Sequence, residues 1–533
     1  MVNSQTDLEA RGAREEIPHD HLYKVTGLSS SNLEKLADGG VCVATCADFE
    51  TAIAATGYGK FNIALMLCTL PAFWSAVSVT SSTSYIFTRA QCDMQLRLLD
   101  MGTVNAITYG GMISSAMVWG FLSDTLGRRR ILIWGFMGAG FVELAAAMSQ
   151  NFTMLLITRF CSGFLFNGPF AVLISYLAEM HRTELRARVI LLTSLFYTFA
   201  NTTLPLLAWA ILPKDWEFFL FGNKIVIHSW NLFLLATALV PIVTGIMFIC
   251  LPESPKFLMS RGRNEEALDI FRTIYVMNTG QPPEYYSVTR LVEEKSEQQG
   301  RGMEALRGGG AQLAPLFKPP HLTWLILICF IHLGCMFGSN TLRLWYPQLA
   351  AMIGSDGNVS LCEAIAPAPV QDAVQEACTP IETDMLTYLQ SAIVGAGSVL
   401  TYGIGGALVN RCGKKLVAAF CGISSAAVVV LLPLFGDGAF AVVALVTAAL
   451  ALTSLSGASL SSICVDLFPT SLRVMAMATF LMSGRLGTIS GTIIFPALIE
   501  YGCLPPFITI ALVLAACGVA CFLVPNTTLK KLE

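Results

Sequence analysis

The chain has 533 residues, 54% of them hydrophobic and only 13% charged, against about 25% charged in an ordinary soluble domain. That balance excludes a set of soluble domains and calls for a lipid bilayer around the chain. A formal net charge of −3, with the basic residues in loops rather than on one face, excludes a nucleic-acid partner.

Residues 1–58 are polar and poor in aromatics and read as a mostly mobile cytoplasmic tail, with no apolar core that would make them a cleaved signal peptide. The end of this tail, 47–60, carries apolar residues at helical spacing and predicts a short helix. Twelve apolar runs follow, each near the roughly 20 residues that cross a bilayer as a helix. They fall at 61–83, 101–122, 130–149, 153–177, 189–211, 230–251, 322–345, 387–408, 415–435, 440–464, 475–499 and 504–524. The predicted organisation is a first six-helix bundle at 59–252, a cytoplasmic linker at 253–321, a second bundle at 322–525 and a cytoplasmic tail at 526–533.

Two loop segments repeat. Gly120–Arg130 reads GFLSDTLGRRR and Gly406–Lys415 reads GALVNRCGKK, aligned without a gap; Glu179–Arg186 (EMHRTELR) and Asp466–Arg473 (DLFPTSLR) each place an acid seven residues before an arginine. Repeated halves in an apolar chain mark a secondary transporter. Lysine and arginine crowd the termini and the loops after helices 2, 4, 6, 8 and 10, whereas the other side holds only Arg89, Arg97, Lys214 and Lys224. Both termini are therefore expected in the cytoplasm.

The outer loop after helix 7 carries a glycosylation sequon at Asn358; those at Asn201 and Asn526 fall in a helix and in the cytoplasmic tail. The same loop holds Cys362 and Cys378, a disulfide candidate in an oxidising compartment, with Cys92 and Cys503 as competitors. Most other cysteines lie in apolar runs, and none has the spacing of a metal site. No catalytic constellation and no phosphate-binding loop is visible, so neither an enzyme nor a cofactor is expected.

These loop signatures resemble those of the major facilitator superfamily, an all-α membrane fold of twelve transmembrane helices in two pseudo-symmetric six-helix bundles. PESPKFL at Pro252–Leu258 resembles a signature of sugar porters, organic ion transporters and the synaptic vesicle glycoprotein 2 group. The DFETAIAATGYGKFN tail piece and LWYP at Leu344–Pro347 favour the last. The resemblance implies a monomeric, multi-pass protein of the plasma membrane or of secretory or synaptic vesicles, moving a small polar or charged organic solute by alternating access, with a possible coupling ion. Helix 1 lacks the acid many relatives carry, and Asn410 stands where an aspartate is usual. The alternative is therefore a transporter-like scaffold or receptor.

An inner gate is expected around Asp124, Arg128 and Arg129, formed only when the cytoplasmic side is closed; the resemblance implies Glu179 and Glu253 as the partner acids with Arg186 alongside, and Arg411, Lys414, Asp466 and Arg473 as the matching set in the second half. Ionisable residues inside spans cost roughly 2.5–3.5 kcal/mol unless paired or wet. Glu143 and Arg159 are equidistant from the turn at Asn151 and predict a buried ion pair, although the resemblance instead has Arg159 facing the cavity. Arg485 lies near the middle of helix 11, where the resemblance to organic anion carriers implies an arginine that attracts a negative or polar ligand. Trp74, Asn167, Trp345 and Tyr346 complete the cavity candidates, the last two reading first as interfacial rings. Glycines 395, 397, 403, 405 and 406 in helix 8 are expected to allow close packing.

Overall fold

The computed structural model describes residues 46–220, 222, 225–292, 314–354, 360–365, 385–436 and 438–525. A two-residue strand β1 (Cys46–Ala47) and a short helix α1 (Phe49–Ala55) precede six long helices: α2 (Lys60–Met94), α3 (Leu98–Leu126), α4 (Arg128–Ala147), α5 (Phe152–Glu179), α6 (Thr183–Ile211) and α7 (Ser229–Ile249). Between α6 and α7, β2 (Glu217–Leu220) and β3 (Ile225–His228) form an antiparallel hairpin. After α8 (Pro255–Ser260), α9 (Asn264–Thr279) and β4 (Arg290–Leu291) come α10 (His321–Ile353), the short α11 (Leu361–Ile365), α12 (Met385–Cys412), α13 (Lys414–Phe435), α14 (Ala439–Leu467), α15 (Thr470–Ile499) and α16 (Leu504–Ala520).

The twelve long helices fall on the twelve apolar runs, several of them longer than expected, and ten are apolar enough by composition to cross a membrane. The chain is a multi-pass membrane protein. The repeated signature makes the same turn twice: Gly127 has φ +91° and Gly413 φ +83°, a region that disfavours a side chain, and each releases a helix that begins on a basic residue. At Gly127 a β-carbon would also stand 2.6 Å from Glu253 Oε2.

Helices α2–α7 pack into one half and α10 with α12–α16 into the other; the halves meet along α6 with α12 and α3 with α15. Without a hydrophobic drive between helices in lipid, backbone approach decides packing, and small residues permit it. A β-carbon on Gly163 would overlap the Thr108 carbonyl, and one on Gly111 the Phe160 carbonyl, at the α3–α5 crossing. Between the halves, a β-carbon on Gly395 would fall 2.6 Å from the Asn201 carbonyl oxygen, and one on Gly102 would overlap that of Thr492.

We call the end carrying the α3–α4, α5–α6, α12–α13 and α14–α15 turns the signature end, and the other the hairpin end. At the hairpin end one apolar core runs through both halves and contains Phe87, Leu204, Trp230, Trp345, Tyr346, Val394 and Phe495. Toward the signature end the cores divide, one around Ile131, Phe136, Tyr176 and Phe248 of the first half, joined by Leu344 of the second, and the other around Leu325, Leu460, Leu467 and Phe468 of the second half. The halves are closed on each other at the hairpin end and part toward the signature end.

The segment expected to be tail reaches this framework from residue 46. β1 pairs in parallel with β4, and α1 buries Phe49, Ala52 and Ile53 against Leu268 and Phe271 of α9. Asp48 caps α1 by accepting from the Thr51 amide at 3.1 Å, and hydrogen bonding from the Thr51 side chain and amide holds its carboxyl below the usual carboxylate range.

Candidate functional site

A cavity of about 460 Å³ lies between the halves, built from α2, α3, α5 and α6 on one side and α10, α14 and α15 on the other. Its walls include Tyr109, Asn167, Phe170, Tyr197, His332, Asn340, Arg343, Phe480 and Arg485. A smaller hollow of about 90 Å³ adjoins it toward the hairpin end, and Tyr197, Ser339, Asn340, Arg343 and Ser454 line both.

Arg343 and Arg485, both from the second half, bring two guanidinium groups to this cavity. No Asp or Glu lies among its described lining residues. Arg343 Nη1 donates to the Tyr197 hydroxyl across the halves at 2.6 Å, and the phenol of Tyr109 lies beside the same guanidinium. Among the described residues Arg485 makes one long hydrogen bond, 3.4 Å, to the Met112 carbonyl. Asn167 donates to that carbonyl at 2.9 Å and to Ser115 Oγ at 3.3 Å, and Asn340 donates to Thr488 at 2.7 Å. The His332 ring stacks on Phe480, centroids 3.7 Å apart.

Sequence reasoning passed over Arg343. Helix 7 was expected to end at 345, where an arginine reaches water, but α10 continues to Ile353 and carries Arg343 two to three turns inside the protein. The same extension corrects Trp345 and Tyr346. They are not interfacial rings but are 1% and 2% exposed, Trp345 against Phe495 and Tyr346 beside the smaller hollow. Trp74 is outside both linings and donates to Thr203 of α6 at 2.9 Å.

Arg159 does not face the cavity either. Its side chain is fully buried, Nη1 lies 2.7 Å from Glu143 Oε2 and 2.9 Å from Oε1, Nη2 donates to the Val79 carbonyl, and Ser162 donates to Glu143. The pair ties α2, α4 and α5 together inside the first half.

Of the expected gate, Glu253 Oε1 accepts from the Arg128 and Arg129 amides at 2.9 and 3.0 Å, satisfying the open N-terminus of α4. Arg128 Nε stands 3.5 Å from Glu179, which also accepts from Ser254 at 2.5 Å; the Arg129 side chain turns to the Ile249 carbonyl at 2.6 Å. In the second half Lys414 binds Asp466 at 2.5 Å, while Arg411 is exposed and Arg473 lies outside this pair. The side chain of Asp124 is outside the described residues. Arg186 departs from the expectation: it binds Glu50 of α1 at 2.9 Å and the His181 carbonyl at 2.9 Å, in a turn where burial pushes the His181 imidazole below its ordinary value. Every described link joins elements within one half, and these links are intact although the halves part at this end.

Cys362 pairs with Cys503, Cα atoms 5.3 Å apart, rather than with Cys378, and Cys92 is also disulfide-bonded. The α11 turn carrying Cys362 is held by the Leu361 amide on the Gly436 carbonyl, 3.1 Å, beside the start of α16. Cys378 and Asn358 lie outside the described residues.

The family model described as Major Facilitator Superfamily matches residues 61–368 and 380–533. The chain is 25% identical over 327 residues to synaptic vesicle glycoprotein 2C of Mus musculus, covering 58% of this chain and 45% of that protein. To synaptic vesicle glycoprotein 2A of Homo sapiens it is 25% identical over 320 residues, covering 56% and 43%. The chain thus matches less than half the length of these relatives. Among solved structures, the xylose transporter XylE from E. coli in a partially occluded inward open conformation superposes with TM-score 0.62 at 14% identity, covering 89% of this chain and 100% of that one. The nucleoside transporter NupG gives 0.57 at 13%, covering 87% and 99%. At these identities the likeness carries the fold alone.

Proposed function

Since the chain belongs to the Major Facilitator Superfamily, we propose that it is a secondary transporter whose solute is a small organic anion, carried by alternating access between its two halves. The observation that carries this reading is the pair of guanidiniums, Arg343 and Arg485, in a cavity without a described carboxylate. Two positive charges in a low-dielectric pocket attract an anion and repel a cation. A guanidinium fork matches a carboxylate, sulfonate or phosphate in two-point geometry. Tyr109, Asn167, Tyr197 and Asn340 offer neutral hydrogen bonds, while Phe166, Phe170 and Phe480 offer flat apolar walls. A cavity of about 460 Å³ has the size of an ordinary small-molecule site, so an aromatic or branched carboxylate fits this chemistry.

The signature end, rich in lysine and arginine, faces the cytoplasm in this reading. The Glu253 cap, the Arg128–Glu179 link and the Lys414–Asp466 pair then brace each half as a rigid body. Equilibrium binding to purified protein tests the anion reading, with labelled benzoate and succinate set against labelled choline and glucose. Saturable binding of a carboxylate, weakened at least tenfold in Arg485→Gln, is expected. Binding of choline or glucose with the carboxylates excluded would refute it.

A further inference from the structure

Arg343 and Tyr197 stand where the wide cavity meets the packed core of the hairpin end, each lining both the 460 Å³ and the 90 Å³ hollows. The arginine belongs to the second half and the phenol to the first, so their 2.6 Å hydrogen bond is a polar tie between halves at the blind end of the cavity. One helical turn farther toward the hairpin end, Asn201 Nδ2 donates to the Tyr197 carbonyl at 2.8 Å. The Asn201 carbonyl in turn faces Gly395 of α12 in the α6–α12 seam, where a β-carbon would stand 2.6 Å from it. Arg343 Nε is buried and has no hydrogen-bond partner among the described residues, so the guanidinium is held there by less than its full donor set.

We propose that Arg343 and Tyr197 form a latch, opened by the solute, that holds the hairpin end shut. A neutral phenol oxygen is a weaker partner for a guanidinium than an anionic oxygen, because charge-assisted hydrogen bonds are roughly twice as strong and the fork can bind an anion at two points. An anion entering from the signature end therefore takes Arg343 away from Tyr197 and from the Tyr109 phenol beside it, both of the first half. The tie between halves is lost at the place where the α6–α12 seam begins, and the hairpin end is freed to open. Arg343 recognises the solute, and Tyr197 acts through it as a positioning residue. That an anion works the latch rests on the function proposed above; the latch itself does not.

Hydrogen exchange of the full chain in lipid nanodiscs reads both parts. In Tyr197→Phe without any solute, segments 201–211 and 385–395 at the hairpin end should exchange faster and segments 183–190 and 461–475 at the signature end more slowly. The ratio of the two forms should move by about tenfold, as expected when a hydrogen bond to a charged group is lost. A merely structural role would raise exchange at both ends, so the opposite signs are the diagnostic, and an unchanged melting midpoint certifies the fold. Arg343→Lys, which keeps the charge and loses the fork, should fall between. Saturating benzoate should shift wild type as Tyr197→Phe does and leave Arg343→Gln unmoved. No sided change in Tyr197→Phe overturns the latch even where benzoate binds. A sided change in Tyr197→Phe with no benzoate effect overturns operation by an anion.

Discussion

Breaking the Glu143–Arg159 pair should be among the costliest substitutions in the first half. Glu143 is 2% and Arg159 0% exposed, and no solvent can take over either charge. In Arg159→Met, Glu143 keeps only the Ser162 hydroxyl, and the Val79 carbonyl loses its donor. Removing one partner of a buried pair costs about 3–5 kcal/mol, since the survivor stays uncompensated. In Glu143→Gln the amide oxygen still accepts from Arg159 but the charge is unmatched, and about 2–4 kcal/mol is expected on the same ground. The double variant removes both charges at nearly conserved volume and should recover most of the loss. Thermal unfolding of purified protein in one detergent, with urea titration of the same samples, gives all three values and the coupling between sites. Losses below about 1 kcal/mol in both single variants, or a double variant as weak as their sum, would refute the pair as a structural tie.

Other substitutions probe separate parts of the account. Gly163→Ala drives a methyl group into the Thr108 carbonyl and should cost about 3 kcal/mol, seen as a lower melting midpoint, whereas an unchanged midpoint would mean the α3–α5 crossing can relax. Cys503→Ser removes the Cys362 link and should cost about 2–4 kcal/mol, and reductant should lower wild type by that much more than it lowers the variant, because the disulfide at Cys92 is reduced in both. Arg485→Lys keeps the charge but not the planar fork, so apparent affinity for a carboxylate should fall about tenfold by equilibrium binding, and unchanged affinity would remove Arg485 from the site. Glu50→Ala takes away the carboxylate that holds Arg186 and Thr183 and should speed proteolytic cleavage within 46–58, with equal rates arguing that the apolar face of α1 suffices.

The elements most legible in the sequence were those set by local pattern. Apolar runs of spanning length place all twelve helices, and the repeated Gly-Arg and Gly-Lys signatures mark two turns that share one backbone conformation at Gly127 and Gly413. Equal distance from a turn was enough to bring Glu143 and Arg159 to one depth, because two antiparallel helices convert sequence offset into height. What the sequence hid depends on contacts between distant segments. Hydropathy fades over the last two turns of α10, so its true end was invisible, and with it the burial of Trp345 and Tyr346 and the position of Arg343. The partner of Cys362 is set by where α16 begins in space, not by chain distance, so the nearer Cys378 was favoured. Glu50 meets Arg186 only because β1 pairs with β4 and seats α1 on α9; nothing in the tail alone announces it.

Uptake into proteoliposomes of labelled carboxylates, organic cations and sugars, with and without a pH gradient, tests the transport claim most directly, beside the Arg343→Gln/Arg485→Gln double variant. The account predicts saturable flux of at least one carboxylate, reduced a hundredfold or more in the double variant, and none of cations or sugars. Saturable flux of a cation or sugar that the double variant leaves intact would contradict the anion reading. No flux for any solute from correctly folded protein would contradict transport itself and leave a scaffold or receptor built on a transporter fold.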